Sequence, residues 1–171
     1  MNTSSKQISE IAAEENFRPT AYADGMVNGV QQHSIGYGHQ IQPNEKNLLT
    51  ASVSKDWALN QLKKDLKPVE DLINKRSRYP LTQSQFDGLA DFGFNCGVGA
   101  LSKVLDTWNS SHNMTAVADH IKQYNKTRQN GQFVVSQNLV DRRLAEVADL
   151  MAKNPGTTAV LFIAGAFVLF S

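Results

Sequence analysis

Glu15 and Asp24 lie nine positions apart, and Ser34 follows ten positions later, just ahead of Ile35-Gly36-Tyr37-Gly38-His39. A carboxylic acid at the end of a helix and a carboxylate at the start of a hairpin can face one another across a cleft. Cleavage of a glycosidic bond uses such a pair. One acid protonates the leaving oxygen, and the carboxylate opposite activates water or attacks directly. The two need unlike surroundings, because one must keep its proton near neutrality while the other stays ionised. Spacing alone does not establish that chemistry: a Glu and an Asp nine positions apart are more often two solvated surface carboxylates.

The elements that would position these residues are legible in part. Ser4 and Gln7 form an S-x-x-Q capping box ahead of Ile8, Ile11 and Ala12 at helical spacing. This predicts a first helix from Ser5 to Glu14 or Glu15, with Pro19 beyond it as a breaker. From Ala21 to His39 the pattern changes. Asp24-Gly25 and Asn28-Gly29 are turn signals, and Ser34-Ile35-Gly36-Tyr37 reads as a strand. The expectation is a small antiparallel hairpin or three-stranded ribbon.

Everything after this reads as helical. Ala58, Leu62, Leu66, Val69 and Ile73 share one stripe, with a kink or break expected at Pro68. Thr82 and Gln85 form a second capping box, opening a helix that carries Phe86, Leu89, Ala90 and Phe94 and ends at Gly97 and Gly99. Leu101, Val104, Leu105 and Trp108 suit a short helix. Val117, Ile121 and Tyr124 mark another, capped near Thr115, and Leu139, Arg143, Val147, Leu150 and Met151 a last one. The fold class is therefore α+β: a small N-terminal β-hairpin lobe and a mainly α-helical lobe joined by a long helix. A ligand cleft is expected between the lobes.

Composition narrows the chemistry. The 171 residues suffice for one domain, and 17 Lys+Arg against 16 Asp+Glu leave a formal charge of +1. A protein living on phosphate contacts carries a basic excess, so nucleic acid is not the expected partner. The single cysteine, Cys96, forms no intramolecular disulfide, and it reads as a small core hydrophobe because no histidine adjoins it in the motif. Four histidines without a closely spaced His/Cys cluster argue against a structural zinc site. The N-terminus lacks the apolar run of a secretory signal.

The C-terminal end is different. After Lys153-Asn154-Pro155-Gly156 no charge remains, and residues 159–170 read AVLFIAGAFVLF. With Thr157 and Thr158 this makes fourteen residues, roughly 21 Å as a helix. That is shorter than the ~20 residues of an ordinary membrane span. Residues 1–153 are read as the catalytic domain and 154–171 as an apolar tail. Through residues 157–170 the tail is expected to associate with a lipid membrane; burial in the main domain and docking into a partner are its alternatives.

Longer motifs carry a more specific signal than the carboxylate pair. Glu15-Asn16-Phe17-Arg18-Pro19-Thr20-Ala21-Tyr22-Ala23-Asp24, followed by Ser34-Ile35-Gly36-Tyr37-Gly38-His39, resembles the phage-type lysozymes of glycoside hydrolase family 24. The resemblance continues through Pro80 to Leu89, Phe92 to Ala100, Asn130-Gly131-Gln132 and Leu139 to Glu146. It covers roughly residues 5–152 in order. It implies a lysozyme-like fold and a muramidase cleaving the β-1,4 bond between N-acetylmuramic acid and N-acetylglucosamine in peptidoglycan. It further implies Glu15 as general acid and Asp24 as the carboxylate that deprotonates the attacking water. Ser34 stands at a usual threonine whose hydroxyl helps hold that water. Neither metal nor organic cofactor is implied.

His39 reads either as a titrating group near the cleft or, the blander expectation, as a structural histidine held by an acidic side chain, with Asp65 its candidate partner by family position; Gln40 and Phe94 are candidate sugar contacts at the cleft. For Phe94, core packing is an equal expectation. Arg142 or Arg143 is a candidate to balance Glu15 electrostatically, with a structural or solvated arginine the blander expectation for each. Trp57 and Trp108 read as packing residues. A monomer is expected, phage-encoded and acting on the wall during lysis or penetration, at the host membrane and periplasm or on a membrane-containing virion. Two departures from the family stand out: nine residues separate Asp24 from Ser34 where five are usual, and Asn16 replaces a frequent glycine. A lytic transglycosylase, and a non-catalytic glycan-binding or structural virion protein, are the alternative functions.

Overall fold

The computed structural model describes residues 1–129 and 131–152. The expected tail at 154–171 lies outside the described residues, and among those described no helix is long and apolar enough to cross a membrane.

The first helix, α1 (Ser5–Glu15), starts where Ser4 Oγ accepts the Gln7 N–H at 3.2 Å and buries Gln7, Ile11 and Ala12. It stops at Asn16, whose φ of 55° lies in the region that Asn tolerates better than most residues. The Asn16 amide also donates to the Glu14 carbonyl at 3.2 Å. Three strands follow in the antiparallel order β1 (Arg18–Val27), β2 (Val30–Gly36) and β3 (His39–Gln40). Val27 pairs with Val30 around a two-residue turn, Asn28 (φ 49°) and Gly29 (φ 78°). Positive φ at both positions gives the I′ turn whose twist matches paired strands.

β1 is irregular twice. Between Arg18 and Tyr22 it carries extra residues relative to β2 and bends away; Thr20 bridges Ser52, and the Pro19 carbonyl accepts the Val53 N–H at 2.8 Å. Between Ala23 and Met26 a second shift inserts one more residue on β1, and that insertion contains Asp24. A bulge re-aims a side chain that a regular ladder would place elsewhere.

The long helix α2 (Lys55–Arg76) joins the lobes and runs through Pro68 without the break its sequence suggests. A proline inside a helix costs about 3 kcal/mol. Leu62, Leu66, Val69 and Ile73, all buried on both sides of it, offset that cost. α3 (Gln83–Ser111) opens with the predicted Thr82/Gln85 capping box. It contains both segments expected as separate helices, with the interruption confined to Gly97 (φ 81°, ψ 162°); Gly99 ends nothing. α4 (Met114–Lys122) is capped near Thr115, by Asn113, whose Oδ1 accepts the Thr115 N–H at 2.9 Å.

The all-helical expectation fails after α4. β4 (Lys126–Gln129) and β5 (Gln132–Val135) form a second antiparallel hairpin, with Gln129 opposite Gln132 and Gly131 at φ 83°. The physical reason is local. Asn-Gly favours a tight hairpin turn, and Thr127, Phe133, Val134 and Val135 are strand formers too few to make a helical face. α5 (Gln137–Met151) closes the described chain.

The main core lies in the helical lobe, where Phe86, Leu89, Phe92, Leu101, Leu105 and Ile121 are fully buried among α2, α3, α4 and α5. Trp108 belongs to it. A smaller cluster of Ile11, Ala12, Leu62 and Leu66 fixes α1 against α2, with Tyr37 and Phe94 packed on its edge. That second cluster sets where α1 ends, and therefore where Glu15 is presented.

Candidate active site

Glu15 is the last residue of α1, so its carboxyl projects where the helix stops and β1 begins. Two neighbours bracket it. Gly38, between β2 and β3, lies so close that an added Cβ would meet Glu15 Oε2 at 3.0 Å, and its φ of 77° independently calls for glycine. On the other side Arg142 Nη1 of α5 donates to Glu15 Oε1 at 3.1 Å. The side chain is 22% exposed, enough to reach a ligand while most of it is enclosed.

Asp24 sits on β1 in a different setting. It is exposed, and Ser34 Oγ on the neighbouring strand donates to its Oδ2 at 2.6 Å. Ser34 itself is fully buried. The longer hairpin thus leaves Asp24 and the Ser34 hydroxyl in contact, because the bulge after Ala23 absorbs a residue of β1. Tyr22, directly opposite Ser34, completes this face, with the Arg18 guanidinium 4.8 Å above its ring. Burial and the nearby charges of Asp24 and Glu15 raise the Tyr22 phenol above its ordinary value.

His39 on β3 is held from three sides. Asp65 of α2 contacts Nδ1 at 2.9 Å, Glu45 contacts Nε2 at 3.0 Å, and the Trp57 ring lies edge-on at 6.2 Å between centroids. Gln61 donates to Asp65 Oδ1 at 2.9 Å. Bonding to Asp65, joined by Glu45, raises the histidine above 6.5 despite its burial. This arrangement ties the sheet to α2. Gln40 is exposed, and its amide donates to Gln32 Oε1 at 3.1 Å. Phe94 is half-buried in the cluster with Ile11 and Leu66. Neither Gln40 nor Phe94 contacts Glu15 or Asp24 through a hydrogen bond.

The two adjacent arginines have unlike fates. Arg142 bonds Glu15 and also Asp91 Oδ1 at 3.2 Å, with Glu14 Oε2 3.3 Å and Glu146 Oε1 3.6 Å from its Nε. Arg143, 1% exposed, turns into the core. It donates to Glu146 Oε1 at 2.6 Å and to Asn95 and Cys96 at the α3 interruption, and lies 5.3 Å from the Phe92 ring centroid. Cys96 is half-buried, packs against the main core and is also hydrogen-bonded; burial raises its thiol. Burial likewise raises Glu146, against the pull of Arg143, and lifts Asp91 to about 6. Arg142 occupies the space between these carboxyls. Among the described residues no His, Cys, Asp and Glu group is arranged to hold a metal ion.

Asp91, Glu146, Tyr22 and Glu45 were not among the residues predicted from sequence. Two of them left a signal. Asp91 is a lone charge inside the apolar run Leu89-Ala90-Asp91-Phe92, and Glu146 lies three and four positions from the two arginines on a predicted helix.

Comparison with known proteins places the chain among its relatives. The "Phage lysozyme" family description matches residues 12–146. The endolysin of Salmonella phage P22 is 31% identical over 147 residues, covering 84% of this chain and 97% of that protein. The endolysin of Bacillus phage PZA is 32% identical over 153 residues, covering 86% of this chain and 54% of that protein. The chain thus spans about half the length of the Bacillus phage endolysins it matches, whose shares are 54% and 47%. Among solved structures, the muramidase domain of SpmX from Asticaccaulis excentricus superposes with a TM-score of 0.76 at 29% identity, covering 89% of this chain and 99% of that one. With the family description covering most of the chain and a relative matched almost end to end, this chain belongs to the phage lysozyme family.

Proposed function

We propose that the chain is a peptidoglycan hydrolase, a muramidase cleaving the β-1,4 bond between N-acetylmuramic acid and N-acetylglucosamine. The observation that carries this reading is the unlike surroundings of the two carboxyls. Glu15 is mostly enclosed, in a cluster where the carboxyls of Glu14, Glu15, Asp91 and Glu146 outnumber the guanidiniums of Arg142 and Arg143. Asp24 stands exposed with one hydroxyl bond, where water can reach it.

In the reaction, Glu15 gives its proton to the glycosidic oxygen as the C–O bond breaks. Asp24 takes a proton from water as that water bonds to the anomeric carbon, and Ser34 holds Asp24 in orientation. The product is a new reducing end of inverted configuration. The names of the relatives, endolysins of phages, support a phage-encoded protein acting on the wall of its host.

The test is clearing of purified peptidoglycan by the parent chain and by Glu15→Gln, with mass analysis of the fragments. Clearing at least ~100-fold slower by the variant, with ordinary reducing ends from the parent, is the expected result. Undiminished clearing by Glu15→Gln removes it as the acid. Anhydro-ended fragments replace hydrolysis with transglycosylation.

A further inference from the structure

The guanidinium that bonds Glu15 is shared, and the sharing is built into the core. Arg142 places Nη1 on Glu15 and Nη2 on Asp91, while its buried Nε, 3.3 Å from Glu14 Oε2, makes no hydrogen bond. Asp91 is the partner whose presence needs explaining. Its side chain is 4% exposed, it sits between Ala90 and Phe92 in the buried part of α3, and its other oxygen accepts Gln7 Nε2 at 3.1 Å. An apolar residue at a buried helix position avoids the several kcal/mol of desolvation that a carboxylate incurs. Packing therefore gives no reason for an acid here, whereas its two bonds, one to α1 and one to Arg142, do.

Resting on the assignment of Glu15 as general acid, we propose that Asp91 is a positioning residue for that acid. By holding one arm of Arg142, it keeps the guanidinium a single-bond neighbour of Glu15 and prevents a two-bonded fork from closing on the Glu15 carboxylate. The distinction matters because a bidentate Arg–carboxylate pair favours the ionised acid, which has no proton to give to a leaving group. The negative charge of Asp91 acts in the same direction through space.

The other charges facing this centre are accounted for. Glu14 of α1 meets Arg142 Nε, and Glu146 of α5 lies between the two arginines. Arg143 is committed to Glu146, Asn95 and Cys96. From β1, Tyr22 lies in the field of both Glu15 and Asp24, with Arg18 over its ring. None of these occupies the Nη2 arm of Arg142. With Asp91 ionising at about 6, it holds that arm as a carboxylate at neutral pH.

The experiment is the pH dependence of kcat/KM on soluble peptidoglycan fragments, from about pH 4 to about pH 9, for the full chain, Asp91→Asn and Asp91→Glu. Asp91→Asn is expected to move the alkaline midpoint down by about one pH unit while the acidic limb stays. Asp91→Glu is expected to return the midpoint toward the parent. A loss of activity equal at every pH, with the midpoint unmoved, overturns the proposal and leaves Asp91 a packing residue. Should Asp91→Asn not fold, Arg142→Gln removes the cation instead; its midpoint is expected to rise, and a midpoint that does not rise is equally fatal. Full activity of Glu15→Gln in the same assay is a different result, because it dismisses the general acid itself.

Discussion

Adding one methyl group at Gly38 tests whether Glu15 works from the position the fold assigns it. In Gly38→Ala the new Cβ lies 3.0 Å from Glu15 Oε2 and 3.5 Å from its Cδ. An ordinary carbon–oxygen contact is a few tenths of an ångström longer, so the carboxyl must retreat or its bond to Arg142 must lengthen from 3.1 Å. The substitution carries a second cost unrelated to chemistry. At φ 77° an alanine is strained by about 1 to 2 kcal/mol. For a chain of this size that lowers the melting temperature by about 2 to 8 °C.

Gly29 supplies the control. Its φ is 78°, and nothing lies within 4 Å of the Cβ it lacks. Gly29→Ala therefore takes the same backbone strain with no carboxyl in its path. A positioned general acid is worth about 10² to 10⁴ in rate, and a displacement of about 1 Å costs on the order of 10². A retreat of a few tenths of an ångström should slow clearing by about threefold to tenfold. Turbidity clearing of peptidoglycan, measured well below both melting points, separates the effects. Gly38→Ala is expected to be slow, and Gly29→Ala within about twofold of the parent. Equal clearing by the two variants, with equal loss of melting temperature, would mean that the space beside Glu15 Oε2 has no bearing on turnover. The role given to Glu15 would then fall with it.

Two further expectations come from the sheet. Ser34→Ala removes a charge-assisted bond worth about 1.5 to 3 kcal/mol and is expected to slow clearing by at least about tenfold, with Ser34→Thr restoring the rate; an active Ser34→Ala would show that Asp24 needs no such partner. His39 gives a stability signature. Because Asp65, then Glu45, raises it in the folded state, its contribution is complete below the unfolded value near 6.5 and is lost as pH climbs through the higher folded value. Melting temperatures of the parent and Asp65→Asn should therefore differ most below about pH 6.5 and converge as pH rises through the higher folded value. A gap that widens with rising pH contradicts that clamp.

The helical lobe was the more legible half of the molecule, for a physical reason. Capping boxes such as Thr82/Gln85 and the stripe from Ala58 to Ile73 are local patterns, and local interactions suffice to state them. The errors mark places where tertiary contact overrode a local rule. Pro68 sits inside α2 because Leu66 and Val69 are buried beside it, and α3 resumes after Gly97 because Leu101 and Leu105 share a core with Phe86 and Phe92. The β4–β5 hairpin had its Asn130-Gly131 signal in plain view; segments of four residues were too short to show an alternation against the helices around them.

At the site, the sequence could show which residue types were available but not how their charge was divided. Arg142 and Arg143 are neighbours in a helix, about 100° apart around its axis. One reaches Glu15, and the other is sealed beneath the interruption in α3 with Glu146. No pattern in α5 decides between them. The decision is made by how α5 lies on α3, and by Asp91, which stands on α3 where the first arginine can be met and the second cannot. Two carboxyls nine positions apart acquire distinct settings only because one is gathered into that cluster and the other is lifted out on a bulge beside a single serine. The asymmetry that the proposed acid–base pairing requires is thus a property of the packing of α1, α3 and α5, while the sheet carries the carboxylate proposed to direct water.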